Sequence, residues 1–294
     1  MTVKDSSRHS EGKKNRKTCN TFDGTICSRK VLKSISVFPA LNSYTMHTLF
    51  PPLIFLLLIT NLSAQNTAPL KISHLTGDFY VFTTYNEYKG NRISANGMYL
   101  LTNMGAVLFD SPWDSTQFQP LLDSIRIRHN QPVVLCLATH FHEDRTAGLD
   151  YYRRQSIKTF TTRQTDELSR KRGMKRAEFL MNSDTVFTVG QYSFQTYFPG
   201  HGHTPDNVIV WFKKERILYG GCLVKSVDDA TLGNLADASS ADYATTIENV
   251  VRTCRKPKHI IPGHNSWQNT HSLQHTLNMA RKLREQTTTK LSSM

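Results

Sequence analysis

The sequence predicts a single α/β domain in which β-sheets lie inside and helices cover them. The chain has 294 residues, of which 38% are hydrophobic and 20% are charged, an ordinary composition for a globular protein that excludes disordered and collagen-like chains. Predicted strands and helices alternate along most of its length, which favours sheets with helices packed outside them. Five cysteines are too few for a disulfide scaffold in a chain of this length.

The first 64 residues differ from the rest in charge. They contain nine Lys or Arg and three Asp or Glu, which gives +6 of the total formal charge of +13. An apolar run at 53–59 follows, and it ends in the small residues Ser63 and Ala64. This order predicts a basic leader and signal peptide over 1–64, with cleavage after Ala64 and a domain over 65–294.

Met46 lies just before the apolar run and would give a compact signal peptide, so we expect translation to start there. An uncleaved extension that acts as an anchor is the alternative. The run is too short to span a bilayer, which excludes a polytopic membrane protein, and no cysteine follows Ala64 to carry a lipid. We therefore expect export to the periplasm without stable membrane insertion after cleavage.

The first half of the domain contains mostly strands. Short runs of apolar and β-branched residues separated by polar turns predict strands at 71–75, 79–86, 97–102 and 106–110. Apolar residues at helical spacing predict a helix at 116–128. The continuous apolar run at 133–138 predicts a strand that is buried on both faces.

The second half repeats this alternation. Helical spacing predicts helices at 148–154, 164–172, 241–254 and 272–285. Strands are predicted at 184–189 and 192–198, joined by a turn at Gly190 and Gln191, and at 208–212, 216–219 and 259–261.

Loops rich in His, Gly or Asp follow several of these predicted strands. In the first loop His140, His142 and Asp144 alternate, so on an extended segment they would point to one side. The second loop holds His201 and His203. Cys222 and His264 follow the next strands in the same way.

These side chains together predict a zinc site. Imidazole and thiolate donors favour zinc over magnesium or calcium, and a catalytic zinc keeps one position for water. Six protein ligands fit two zincs better than one, with one or both of His201 and His203 among them. Three cysteines lie in 65–294, an odd number, and a metal-bound thiolate at Cys222 explains one that stays unpaired.

The ordered motifs resemble those of the class B metallo-β-lactamases, specifically their broad-spectrum dizinc subclass. The resemblance covers about residues 70–285 and implies a four-layer αβ/βα sandwich (the metallo-β-lactamase fold) in a single α/β domain. It implies two Zn²⁺ per chain, and it assigns the ligands of both sites. The three-His site would be formed by His140, His142 and His203, and the second site by Asp144, Cys222 and His264.

The same resemblance implies further roles. Lys225 and Asn234 correspond to substrate-binding residues, and Asn234 and Asp144 to catalytic ones. Residues 87–96 correspond to a mobile flap over the groove, with Tyr88 and Ile93 contacting substrate. The implied reaction is hydrolysis of the β-lactam amide bond of penicillins, cephalosporins and carbapenems by direct attack of zinc-bound hydroxide. This activity confers antibiotic resistance. The resemblance also implies that the protein is a monomer.

Three further residues, Asp110, His201 and Arg145, are expected to lie near the zinc ligands. Asp110 fits a carboxylate behind the site, and His201 matches no ligand and is expected to line the groove. Glyoxalase II-type thioesterases commonly carry a histidine ligand where this chain has Arg145. Because a guanidinium does not ligate zinc, Arg145 argues against that branch, and we expect it to pair with acidic groups.

Other functions remain as alternatives. Another zinc hydrolase acting on thioesters, lactones or phosphodiesters is the nearest, and a zinc-binding protein without activity is a second. The positive charge suggests nucleic-acid binding as a third alternative. However, the basic runs near 153–154, 170–176 and 213–214 lack an aromatic platform on which bases could stack. A solvated face is the better interpretation, so we expect no nucleic-acid partner. A serine β-lactamase is excluded, because neither a Ser-x-x-Lys nor a Gly-x-Ser-x-Gly motif occurs in a suitable position of residues 65–294.

Overall fold

The computed structural model describes residues 1–5 and 70–292. We number the strands and helices in chain order. The strands are β1 (Thr2–Asp5), β2 (Lys71–Thr76), β3 (Phe79–Tyr88), β4 (Asn91–Thr102), β5 (Gly105–Phe109), β6 (Val133–Leu137), β7 (Lys158–Thr162), β8 (Phe179–Met181), β9 (Thr185–Val189), β10 (Tyr192–Tyr197), β11 (Ile209–Phe212), β12 (Ile217–Gly221) and β13 (His259–Pro262). The helices are α1 (Phe118–His129), α2 (Glu143–Thr146), α3 (Leu149–Arg154), α4 (Arg163–Arg172), α5 (Tyr243–Thr253) and α6 (Ser272–Ser292).

The strands form two sheets. The seven-stranded sheet has the order β2-β3-β4-β5-β6-β7-β8; it is antiparallel from β2 to β5 and parallel from β5 to β8. The six-stranded sheet has the order β1-β9-β10-β11-β12-β13 and is antiparallel except for the β12–β13 pair. The parallel pairs matter for function, because they bring several strand ends to the same edge.

The two sheets pack face to face through an aromatic core. Phe109 of the seven-stranded sheet contacts Phe194 and Phe212 of the other sheet edge-on, with ring centroids 5.0 and 5.5 Å apart. All three side chains are essentially inaccessible to solvent. Such edge-to-face contacts add to the hydrophobic stabilisation that comes from burial.

Helices cover the outer face of each sheet. The seven-stranded sheet packs against α1 and α3 through residues that include Leu121, Ile125 and Tyr152. The six-stranded sheet packs against α5 and α6 through residues that include Ile247 and Leu277. The layers are therefore helix, sheet, sheet and helix, and the predicted αβ/βα sandwich is confirmed.

Several elements differ from the sequence-based prediction. β7 was not predicted, because its sequence Lys-Thr-Phe-Thr-Thr lacks an apolar pattern, although four of its five residues are buried. β8 and the short α2 were also not predicted. Residues 87–96, expected to be a loop between strands, instead form the tip of the β3–β4 hairpin, with Lys89 and Gly90 at positive φ in the turn.

The N-terminal prediction is largely untested. The apolar run at 53–59 lies outside the described residues. Residues Thr2–Asp5 pair antiparallel with the outer edge of β9, a strand that the leader interpretation did not anticipate. No helix in the described ranges is long and apolar enough to cross a membrane.

We predict that Phe109→Ala strongly destabilises the fold, because it removes a ring that contacts both sheets. The free energy of unfolding measured with urea should fall by about 3–5 kcal/mol. Ile127→Ala is the control, since Ile127 on α1 is 83% exposed and should change stability by less than about 0.5 kcal/mol. Equal losses in the two variants would contradict the importance of this core.

Candidate metal centre

The predicted ligands lie in loops at one edge of the sandwich. His140 and His142 follow β6, His203 follows β10, Cys222 directly follows β12, and His264 follows β13. Because β12 and β13 are parallel neighbours, their carboxyl ends meet at the same edge. The fold thus gathers side chains that are up to 124 residues apart in the sequence.

Three histidines form the first donor set. Ligand atoms of His140, His142 and His203 all lie within 4.8 Å of one another. Nε2 of His140 and Nδ1 of His203 are buried without a hydrogen-bond partner in the described part of the chain. Buried polar atoms are normally paired, so these orphaned nitrogens suit residues that bind a metal ion. Burial also lowers the pKa of both rings well below the usual value, which keeps them in the neutral form that binds metal.

The third ring of this set is oriented by a carboxylate. Nε2 of His142 lies 3.0 Å from Oδ2 of Asp237, and the other oxygen of Asp237 accepts a hydrogen bond of 2.7 Å from Arg172. An ionised carboxylate only accepts hydrogen bonds. Nε2 of His142 therefore carries the proton, and Nδ1 is the nitrogen available to a metal.

The second donor set combines a carboxylate, a thiol and an imidazole. Sγ of Cys222 lies 3.3 Å from Oδ2 of Asp144 and 3.2 Å from Nε2 of His264, and Asp144 and His264 are 3.3 Å apart. Donor atoms of His140, Asp144 and Cys222 also lie within 4.8 Å of one another, so the two sets adjoin. All six predicted ligands are brought together.

Asp144 does not lie on the extended segment that the sequence predicted. We expected an extended segment in which Asp144 continues the alternation of the two histidines. The chain instead bends, and Asp144 lies in the first turn of α2 with His142 as its N-terminal cap. Negative charge at a helix N-terminus is favourable, which suits a carboxylate in this place.

The protonation of His264 in the second donor set depends on Cys222 and Asp144. Burial alone lowers the pKa of His264, but Cys222 and Asp144 outweigh it and raise the value to about 10. Nδ1 of His264 contacts the carbonyl oxygen of Ser94, so Nε2 is the atom that faces the other two donors. A metal binding here has to displace the proton on Nε2.

Arg145 lies completely buried beneath the second set. Its guanidinium is 2.9 Å from Oδ2 of Asp144 and 3.2 Å from Sγ of Cys222. Burial opposes ionisation of Asp144, but Arg145 and His264 lower the pKa of that carboxyl well below its usual value. The expected pairing of Arg145 with acidic groups is therefore confirmed.

Asp110 also lies behind the site, as expected. It accepts hydrogen bonds from the backbone N–H and the hydroxyl of Thr139, at 2.7 and 2.9 Å, and from the hydroxyl of Tyr219 at 2.6 Å. Burial raises its pKa to about 6 against the opposing charge of Arg145. These contacts fix the backbone that immediately precedes His140.

Gly263 allows the last two ligand loops to approach each other. A Cβ atom built on Gly263 would lie 2.6 Å from the backbone nitrogen of Cys222 and 2.8 Å from its Sγ. Both distances are well below van der Waals contact, so a larger residue would push the thiol away from its partners. Packing thus requires a glycine at position 263.

A cavity of about 610 Å³ opens above both donor sets. Its walls include Lys225, Asn234, Tyr88 and Ile93, as the sequence predicted. Lys225 is only 6% exposed, and burial lowers its pKa. The side-chain oxygen of Asn234 accepts a hydrogen bond from the N–H of Ala236, which leaves its amide nitrogen as the donor.

Other contacts were not found by sequence reasoning. His201 was expected to line the groove, but it does not line this cavity. Its Nε2 instead contacts the backbone oxygen of Asp237 at 2.9 Å and so stabilises the loop that contains Asp237. Asp237, Arg172 and Trp113 contribute to the cavity wall. A single Asp, Arg or Trp carries no spacing signal, so nothing in the sequence marked these three residues.

Comparisons with known proteins agree with this geometry. Residues 92–264 match the model of the metallo-beta-lactamase superfamily. The "Metallo-beta-lactamase type 2" of Elizabethkingia meningoseptica is 38% identical over 77% of this chain and 92% of the relative. The metallo-beta-lactamase IND-1 of Chryseobacterium indologenes is also 38% identical, over 71% of this chain and 87% of the relative's length.

A solved structure gives the same result. The metallo-beta-lactamase from Pontibacter korlensis superposes with a TM-score of 0.70 and 32% identity, covering 72% of this chain and 99% of its own. The donor atoms, their orphaned nitrogens and the surrounding fold are those expected of a zinc enzyme of this kind. The chain belongs to the metallo-beta-lactamase superfamily.

Proposed function

We propose that this protein is a zinc-dependent β-lactamase that hydrolyses the amide bond of penicillins, cephalosporins and carbapenems and so confers antibiotic resistance. The relatives that support this activity are named metallo-beta-lactamases. The observation that carries the proposal is the adjacency of two complete donor sets in one groove with a buried lysine. β-Lactams carry a carboxylate next to the ring nitrogen, and the buried lysine offers that carboxylate a cation in the same groove.

We propose two zinc ions per chain. His140, His142 and His203 would hold one, and Asp144, Cys222 and His264 would hold the other. When bound, zinc lowers the pKa of a water molecule to about 7 and polarises a carbonyl group.

The protein side chains would orient the substrate around these ions. The ammonium group of Lys225 pairs with the substrate carboxylate, and its enclosed position strengthens that pairing because little water competes for it. The amide nitrogen of Asn234 donates a hydrogen bond to the β-lactam carbonyl oxygen as negative charge develops there, a contact of about 2.7–4 kcal/mol in comparable sites. The carboxylate of Asp144, kept ionised by Arg145, accepts a hydrogen bond from the attacking water and orients it.

The β3–β4 hairpin would cover the bound substrate. Tyr88 at its tip is 40% exposed and lies 5.8 Å from the ring of Trp113, while Ile93 also lines the cavity. These apolar groups would pack on the substituents of the antibiotic and exclude bulk water from the reacting bond.

The protein would act outside the cytoplasm as a monomer. Export is supported by the basic leader and the apolar run at 53–59 ahead of Ala64. In this proposal residues 65–294 form the periplasmic enzyme, which meets antibiotics on their way to the cell wall.

The direct test is hydrolysis of a chromogenic cephalosporin and a carbapenem by the zinc-loaded protein. Both should be turned over, EDTA should abolish the activity, and added zinc should restore it. Two bound zincs without turnover of either substrate would contradict the proposal. Thioesters, lactones and phosphodiesters would then be assayed in their place.

Cys222→Ser should weaken the second zinc, because a hydroxyl is a poor replacement for a thiolate ligand. Zinc content after dialysis should fall from two to about one per chain, and turnover should fall about 100-fold or more. Cys254→Ala is the matched control, since Cys254 is also buried but packs among α5 and α6. Unchanged zinc content and rate in Cys222→Ser would refute its ligand role.

Asp237→Asn should lower zinc affinity about 10- to 100-fold, because the amide no longer fixes the tautomer of His142. Competition with a chromogenic chelator measures this affinity without relying on turnover. Arg172→Gln should have a smaller effect, since the His142–Asp237 hydrogen bond remains. Asp242→Asn is the control, because Asp242 is exposed and bonds to Ser239; an equal effect there would argue against the role of Asp237.

A further inference from the structure

The positive charge of the domain is concentrated in one segment. Residues 65–294 carry a net charge of +7, and residues 150–176 within them contain nine Lys or Arg and three Asp or Glu, a net charge of +6. The rest of the domain is close to neutral. The proposed catalytic function uses only Arg172 from this segment, so most of this charge has no role in the active site.

The cations of this segment are all exposed, whereas Asp166 is buried and Asp150 is half-buried. Asp166 is 8% exposed and lies 2.7 Å from Arg176. Asp150 lies 3.5 Å from Arg153 and 4.0 Å from Lys175. These pairs neutralise part of the charge of Arg153, Lys175 and Arg176, and the segment keeps a net positive charge at its surface.

The two basic runs of the segment meet in space. Because Arg153 and Lys175 share the carboxylate of Asp150, the end of α3 lies beside the residues that follow α4. Arg154 and Lys175 also line a common cavity of about 510 Å³. Arg153, Arg154 and Lys175 thus lie together, although they come from two separate stretches of the sequence.

An exposed apolar pair follows this area directly. Phe179 and Leu180 are 39% and 43% exposed, and they lie on β8, the last strand of the seven-stranded sheet. Only two residues separate Phe179 from Arg176. Large apolar groups beside clustered cations are typical of proteins that bind to the surface of a membrane.

We propose that this area, formed by α3, α4, residues 173–176 and β8 and here called the basic surface, docks on bilayers that contain anionic phospholipids. The arginines and lysines pair with headgroup phosphates, each stabilising docking by an amount that falls off within a Debye length. Phe179 and Leu180 enter the interface between headgroups and acyl chains. Nucleic acid fits less well, because Phe179 is the only exposed aromatic ring of the described basic surface and gives no platform for successive bases.

The experiment is sedimentation of the zinc-loaded protein with vesicles of phosphatidylglycerol and phosphatidylcholine, or of phosphatidylcholine alone. Binding to the anionic vesicles should be strong at low salt and lost at high salt. The variant Arg153→Gln/Arg154→Gln/Arg170→Gln/Lys171→Gln should bind at least about tenfold more weakly. None of these four residues lines the cavity of the metal centre, so β-lactam hydrolysis should be unchanged.

A control variant removes the same charge elsewhere. Lys213→Gln/Lys214→Gln/Lys258→Gln/Lys282→Gln replaces four exposed lysines and should bind within about twofold of the parent protein. All proteins in the comparison keep the same N-terminal segment, so any binding by the apolar run at 53–59 is common to them. Phe179→Ser/Leu180→Ser should weaken binding while preserving its dependence on salt.

Three outcomes would overturn the proposal. Equal weakening in the two fourfold variants would show that net charge alone determines binding. Equal binding to both kinds of vesicle, or to neither, would remove the role of anionic headgroups. Tighter retention on duplex DNA than on anionic vesicles at the same salt would assign the basic surface to nucleic acid. Each outcome is independent of whether the protein hydrolyses β-lactams.

Discussion

The metal centre depends on one buried cation. Asp144 and the thiol of Cys222 are removed from solvent together, and such a pair of acidic groups is unfavourable in a protein interior unless a positive charge compensates it. Arg145 supplies that charge from the same short helix as Asp144. Its remaining N–H groups reach the backbone oxygens of Asn96 and Gly263 at 2.7 and 2.9 Å. Arg145 therefore joins the edges of both sheets while it holds the two ligands.

The rest of the architecture can be understood as support for that arrangement. The aromatic core between the sheets fixes their separation, and the helices outside leave the loop-bearing edge uncovered. Asp110 and Tyr219 complete the polar network below Arg145. Because every buried polar group in this network has a partner, the network restricts the loops to one arrangement.

The sequence predicted the ligand set better than it predicted the local structure around it. His140, His203 and Cys222 were recognisable because several donors followed strands in the same way, and their combined order is specific to a family. β7 was not recognised, since its threonines are buried by tertiary packing that propensity does not contain. Asp237 was not recognised either, because a carboxylate that orients a ligand across 95 residues leaves no pattern in the sequence.

The contact between the Ser94 carbonyl and Nδ1 of His264 joins the β3–β4 hairpin to a proposed metal ligand. Ser94 lies on β4, one residue beyond Ile93, which lines the groove. A bulky drug that lifts this hairpin would pull on the imidazole from the side opposite Cys222. Antibiotic size and zinc exchange would then be mechanically linked.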